Sequence, residues 1–197
     1  DGHDEDGHDE DGHDEDGHSG VDPHFFTDPA RMAIAANAIA NFLVGVVEGI
    51  DAETLRSNTD VYIDRLEMLD AEVTEMLSVL SNNQRVLVTN HEVFGYFADR
   101  YDFEIIGTVI PSGTTLDGTS AQTIASLVEI IEKKEVPAIF SDISSSDELI
   151  QVLADEVGMV DVIELFSESL GDENSDGSTY LEMVRANAER IVMALSS

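Results

Sequence analysis

From residue 84 onward the chain alternates short apolar runs with longer amphipathic ones, and this alternation limits the fold more than any other feature. Arg85–Thr89, Phe103–Ile110, Val136–Phe140 and Met159–Phe166 are short runs dominated by β-branched, aliphatic and aromatic residues, which reads as strand. His91–Arg100, Ser120–Lys133, Ser145–Val157 and Thr179–Leu195 read as the intervening helices. Ser145 with Glu148, and Thr179 with Glu182, have the spacing of a capping box. Strands that alternate with helices build a parallel sheet through right-handed crossovers. The expected fold class is α/β, with four β/α units and a parallel sheet in residues 84–197.

Two helices are expected upstream. Asp28 can cap a helix that begins at Pro29, where the missing amide hydrogen costs nothing. That helix is Ala-rich and apolar, runs to about Glu48 and stops at Gly49. The next follows Asp51 and carries the stripe Leu55, Thr59, Tyr62, Leu66, Leu69, Val73, Met76 and Leu80. These positions alternate spacings of four and three, as an amphipathic helix requires. At 1.5 Å per residue it spans about 43 Å, the length of a rigid strut between two lobes. A coiled-coil seam is the alternative.

Residues 1–18 repeat a five-residue unit, DGHDE, which places His3, His8, His13 and His18 at equal intervals. The repeat holds no apolar side chain, so it is expected to be a disordered, solvated segment. Its imidazoles and carboxylates suit weak metal capture; an inert linker is the alternative.

Charge narrows the function. Nine Lys and Arg against 42 Asp and Glu leave a formal net charge of −33. Such a surface cannot supply the basic patch that nucleic acid needs, and it disfavours anionic lipid. Lys133 and Lys134 are the only lysines. At ~1 M salt the Debye length shrinks to about 3 Å and the self-repulsion largely vanishes, so a halophilic host is expected. No cysteine is present, which excludes disulfides, thiolate metal sites and cysteine nucleophiles. No apolar run approaches the ~20 residues of a membrane span. The chain opens inside a repeat, without initiator Met or signal peptide, so further residues upstream are expected.

In an open parallel sheet, ligands gather at the carboxyl ends of the strands. Asn90-His91, Ser141-Asp142 and Ser167-Glu168-Ser169 occupy such positions. His24 sits in a proline-flanked turn, and it and His91 are the only histidines outside the repeat. Each has an ordinary alternative: His91 as a helix-start residue, His24 as a turn residue, Glu168 as a solvated loop acid. Taken together, two imidazoles and a carboxylate form a donor set for Zn²⁺ or Mn²⁺. Asp142 is a candidate for a supporting role beside them.

Several motifs resemble those of one family. Asp22-Pro23-His24-Phe25-Phe26-Thr27-Asp28-Pro29 resembles the D-P-H-x-W-L-D-P signature of the zinc and manganese solute-binding proteins of ABC importers. Asn90-His91-Glu92-Val93-Phe94-Gly95-Tyr96-Phe97 is similar to that family's second histidine motif. Leu165–Gly171 resembles the segment that carries its carboxylate ligand, and Thr179–Met183 with Asn187 the opening of its last helix. The acidic repeat is similar to the family's His-rich loop.

The resemblance implies two lobes joined by one long helix, with a metal held between them. The implied division is 1–20 acidic His-rich segment, 21–50 end of an N-terminal lobe, 51–81 linking helix, and 82–197 C-terminal metal-binding lobe. The implied metal ligands are His24, His91 and Glu168, with a further histidine on an N-terminal lobe that this chain does not contain. Phe26 replaces the family's usual Trp, and Glu168 is one methylene longer than its frequent Asp. The implied function is high-affinity binding of a divalent metal, Zn²⁺ favoured and Mn²⁺ the alternative, outside the cytoplasm. Delivery would be to the membrane permease of an ABC importer, from the periplasm or the cell surface, with a lipid anchor as one option. With its N-terminal lobe the protein is expected to be monomeric. A zinc buffer that relies on the repeat, and a metallo-hydrolase, are rival readings. Against the hydrolase, Gly95 breaks the H-E-x-x-H pattern begun by His91-Glu92, and neither a G-x-S-x-G elbow nor a Gly-rich phosphate loop is present.

Overall fold

A computed structural model describes residues 22–110, 120–144, 146 and 148–196. The repeat, with His3, His8, His13 and His18, lies outside the described residues, as does Ser145 of the expected capping box. A 3₁₀ turn at Phe25–Thr27 leads into α1 (Pro29–Val46) and α2 (Ala52–Leu77). There follow β1 (Val86–His91), α3 (Gly95–Tyr101), β2 (Glu104–Ile110), α4 (Ala121–Lys134), β3 (Ala138–Asp142), α5 (Glu148–Val157), β4 (Asp161–Leu165) and α6 (Tyr180–Leu195).

Among the described residues the four strands form one parallel sheet in the order β2-β1-β3-β4, as the alternation requires. Both faces are covered, which is why the central strands β1 and β3 are buried along almost their whole length. On one face Leu87, Phe140 and Leu165 share a core with Leu69 and Val73 of α2, Phe97 of α3 and Ile191 of α6. On the other, Val88, Val109 and Ile139 meet Leu127 and Ile131 of α4 and Ile150 and Leu153 of α5.

Several boundaries differ from the sequence reading, each for a pairing reason. Pro137 has no amide hydrogen, so the third strand starts at Ala138, not Val136. The fourth begins at Asp161, where it pairs with Ala138 and where Asp161 N–H donates to Pro137 O (3.0 Å). Met159 is outside the ladder and 93 % exposed. The first strand extends through His91, which pairs with Ile110 of the long β2. His91 therefore closes a strand; the helix expected to open there starts at Gly95. Ser141 and Asp142 are likewise the last residues of β3 rather than loop residues.

Side chains cap three helix starts, those at Asp28 and Thr179 as expected from the sequence and a further one at Asp51. Asp28 Oδ1 accepts from Ala30 N (2.8 Å), Asp51 Oδ1 from Thr54 N (3.0 Å), and Thr179 and Glu182 form their reciprocal box. Helix α2 spans 26 residues, about 39 Å at 1.5 Å per residue. It buries Leu66, Leu69, Val73 and Leu77. Two charged clamps hold it to the lobe: Asp70 to Arg100 and Tyr101 of α3, and Glu72 to Arg185 of α6 (both contacts 2.7 Å).

Helix α1 packs along α2 but leaves Ile34 71 %, Ile39 57 % and Phe42 66 % exposed. It is also the one described helix long and apolar enough to cross a membrane by length and composition, which the search for an uninterrupted apolar run did not show.

Candidate metal centre

Three elements converge at the carboxyl end of the sheet. His91 ends β1, Glu168 stands in the turn after β4, and His24 precedes the 3₁₀ turn that leads into α1. Each side chain offers one donor atom, and all three donors lie within 4.8 Å of one another.

The spacing carries chemical information. His24 Nε2 is 3.6 Å from Glu168 Oε1, and His91 Nε2 is 3.3 Å from Glu168 Oε2. A tetrahedral ion with bonds of about 2.0–2.1 Å holds its ligand atoms about 3.3 Å apart. Both imidazole–carboxylate edges are near that length, and they end on different oxygens of Glu168. His91 Nε2 is buried and has no hydrogen-bond partner in the protein. An orphaned buried imidazole nitrogen beside a carboxylate oxygen is a donor waiting for a Lewis acid.

His24 is oriented by its neighbour Asp22. Asp22 Oδ1 accepts from the His24 backbone N–H (2.9 Å) and meets His24 Nδ1 at 2.7 Å. An ionised carboxylate only accepts, so Nδ1 carries the proton and Nε2 presents its lone pair toward Glu168. In the sequence Asp22 stands only as the first residue of the motif around His24. The D-x-H spacing is the signal that marks it, since an Asp side chain readily bonds the backbone two residues on. The segment is tied to the lobe by Tyr96 OH to Asp22 O (3.3 Å) and Tyr180 OH to Phe26 O (2.8 Å). Arg31 stacks 4.3 Å over the Tyr96 ring. Gly95 allows this approach: a Cβ there would sit 3.3 Å from Asp22 Oδ2.

The Glu168 turn is held from α6. Asn187, 5 % exposed, accepts from Phe166 N (2.9 Å) and donates to Phe166 O (2.6 Å). Both backbone groups before the turn are thus satisfied by one side chain. Asn187 appeared in the sequence only as part of a motif; its position on a buried helix face explains the choice of an amide.

Asp142 lies beside this group rather than in it. It is 4 % exposed, and its Oδ1 accepts from Ser144 N (2.7 Å) and Ser144 Oγ (2.8 Å). The structure thus gathers His24, His91 and Glu168 in one cluster and leaves Asp142 outside it.

The family profile described as "Zinc-uptake complex component A periplasmic", ZnuA, matches residues 1–194. Zinc-binding protein TroA of Treponema pallidum is 33 % identical over 180 residues, covering 89 % of this chain and 58 % of TroA. Manganese-binding lipoprotein MntA of Halalkalibacterium halodurans is 24 % identical over 177 residues, covering 90 % of this chain and 58 % of that protein. The solved structure of the periplasmic zinc-binding protein TroA has the same fold, with a TM-score of 0.80 at 33 % identity over 88 % of this chain and 64 % of that one. This chain spans between half and two thirds of the length of these relatives. With its motifs in order along a matching fold, the chain belongs to the ZnuA family of periplasmic zinc-uptake components.

Proposed function

We propose that this chain is the metal-holding part of an extracytoplasmic solute-binding protein that delivers Zn²⁺, or alternatively Mn²⁺, to the membrane permease of an ABC importer. His24, His91 and Glu168 are the proposed ligands. The observation that carries the reading is the pair of edges at 3.3 and 3.6 Å joining the imidazole Nε2 atoms to the two oxygens of Glu168. Neutral imidazoles suit a borderline ion, and the carboxylate offsets part of its charge. Relatives named for zinc and for manganese support both metals.

Three donors leave at least one position of a tetrahedral ion to be filled. We assign that position to a histidine of an N-terminal lobe, of which residues 21–50 are the end, with α2 as the link. The exposed apolar side chains of α1 support this division. A closed ligand set holds an ion without activating water, so the proposed role is transport and not catalysis. Relatives named as periplasmic or as lipoproteins support a place outside the cytoplasm.

The test is Zn²⁺ titration of the chelator-stripped protein, with His91→Ala and Glu168→Ala beside it. Each variant should weaken binding at least about a hundredfold, since each removes a ligand outright. Binding should release protons and weaken on acidification, because metal and proton compete for the same imidazole nitrogens. If deletion of residues 1–20 abolishes all binding while His91→Ala leaves it intact, the protein is a zinc buffer acting through its repeat. The acid excess supports a salt-rich setting, so the melting temperature should rise from ~0.1 M to several molar KCl, and less so in a charge-neutralised variant.

A further inference from the structure

Below the metal centre, the ends of β1, β3 and β4 border a small, partly open cavity of about 10 Å³, lined by His91, Ser141, Asp142 and Ser167 among others. Ser141, Asp142 and Ser167 are 4 %, 4 % and 3 % exposed. Ser141 Oγ, Asp142 Oδ2 and Ser167 Oγ are buried and have no hydrogen-bond partner in the protein. With His91 Nε2, four such atoms border one cavity, which is unusual because buried polar groups are nearly always paired.

The local backbone explains why Asp142 cannot turn away. Its Oδ1 is committed to Ser144, and Ile143 N–H donates to Leu165 O (3.0 Å), which pins the end of β3 to the end of β4. Oδ2 is left as the free acceptor of a residue on the cavity wall. The volume matches a single water, and a buried water typically makes about three hydrogen bonds. Donors and acceptors also balance. A water gives one hydrogen to Asp142 Oδ2 and the other to one serine oxygen, and accepts from the second serine hydroxyl.

We propose that this cavity holds one ordered water, and that Asp142 acts through it as a positioning residue for the metal ligands. The water ties the end of β3 to Ser167, the residue before Glu168, on a wall shared with His91. This rests on the metal-binding reading above. Removing a partner of the water should loosen Glu168 relative to His91 without removing any ligand. Groups that orient metal ligands typically cost about ten- to a hundredfold in affinity when mutated.

The experiment compares Asp142→Asn, Ser167→Ala, Ser141→Ala and Ser141→Thr in the full chain, using Zn²⁺ affinity by chelator competition, the visible spectrum of the Co²⁺-loaded protein and the metal-free melting temperature. The expected result is about tenfold weaker Zn²⁺ binding and a shifted Co²⁺ spectrum for the first three, with Ser141→Thr, which keeps the hydroxyl, near wild type. A crystal structure of the metal-free chain should show one water within about 2.7–3.2 Å of the three oxygens. Unchanged affinity and spectrum, Ser141→Thr behaving like Ser141→Ala, or a dry cavity would overturn the proposal. Should Asp142→Asn fail to fold, the two Ser141 variants decide it. If the wild-type chain binds no Zn²⁺, the metal reading itself fails and the role of Asp142 falls with it.

Discussion

His91 ends a buried strand and Glu168 stands in the turn after β4, whereas His24 stands on a segment whose helix, α1, is largely exposed. Behind His91 and Glu168 lie Leu87, Phe140, Leu165 and Ile191, each 1 % exposed or less. Behind His24 the ties are polar: Asp22 to its ring, Tyr96 and Tyr180 to the backbone around it. The sheet side is held by burial, which is non-directional and large in sum. The His24 side is held by a few directional bonds, each worth about 1 kcal/mol net. A site built this way has one fixed wall and one that can be adjusted at modest cost. That suits the proposed role, in which the bound ion has to be released.

The widest contrast is between core and α1. Ile191→Ala should destabilise the chain by about 2–4 kcal/mol in urea unfolding, because it opens a cavity in the main core. Ile34→Ala should cost less than about 0.5 kcal/mol, since that side chain is 71 % exposed. Equal costs would end the comparison.

Asp22→Ala tests the His24 side directly. It should weaken Zn²⁺ binding about tenfold, near 1.4 kcal/mol, while metal-free stability changes little. A loss of stability without a loss of affinity would make Asp22 a turn former only. Tyr180→Phe removes the hydroxyl that holds Phe26 O and should cost about 1 kcal/mol. Hydrogen exchange should show the 3₁₀ turn loosened and β3 unchanged; equal loosening of both would mean the two sides are not separately held.

The smallest effect concerns α2. Burial raises the Asp70 pKa, but hydrogen bonds from Arg100 and Tyr101 and the Arg100 charge outweigh it, and the net shift is downward. A depressed carboxylate stabilises the fold above its unfolded pKa of about 3.9, and that contribution disappears as the pH falls through the lower folded value. Asp70→Asn should therefore cost about 0.5–1 kcal/mol at neutral pH, discounted for the solvent around Arg100, and the gap should close in acid. A gap that persists well below pH 3.9 would point to lost packing instead.

Much of this organisation is legible in the residues. The β/α order, the caps at Asp28 and at Thr179 with Glu182, and the buried stripe of α2 all follow from rules that act over three or four positions. The candidate ligands were also legible, because histidine is scarce outside the repeat and Glu168 follows the fourth strand in a segment that resembles the family's carboxylate motif. Strand ends were less so. His91 was expected to open a helix but closes a strand, because its partner Ile110 lies on another strand and ladder length is a property of the pair. Asp22 escaped notice because its use depends on where His24 points. The single-water cavity exists only once three strand ends are side by side.

The sequence by itself determined the class of fold, the order of its elements and the chemical character of the donor set, since periodicity, capping and residue type are local properties. Only the tertiary structure decided the strand order β2-β1-β3-β4, the burial of His91 Nε2 and the meeting of both imidazoles at the two oxygens of Glu168. Those depend on contacts between residues far apart in the chain, and such contacts are set by how the whole core packs rather than by any local pattern.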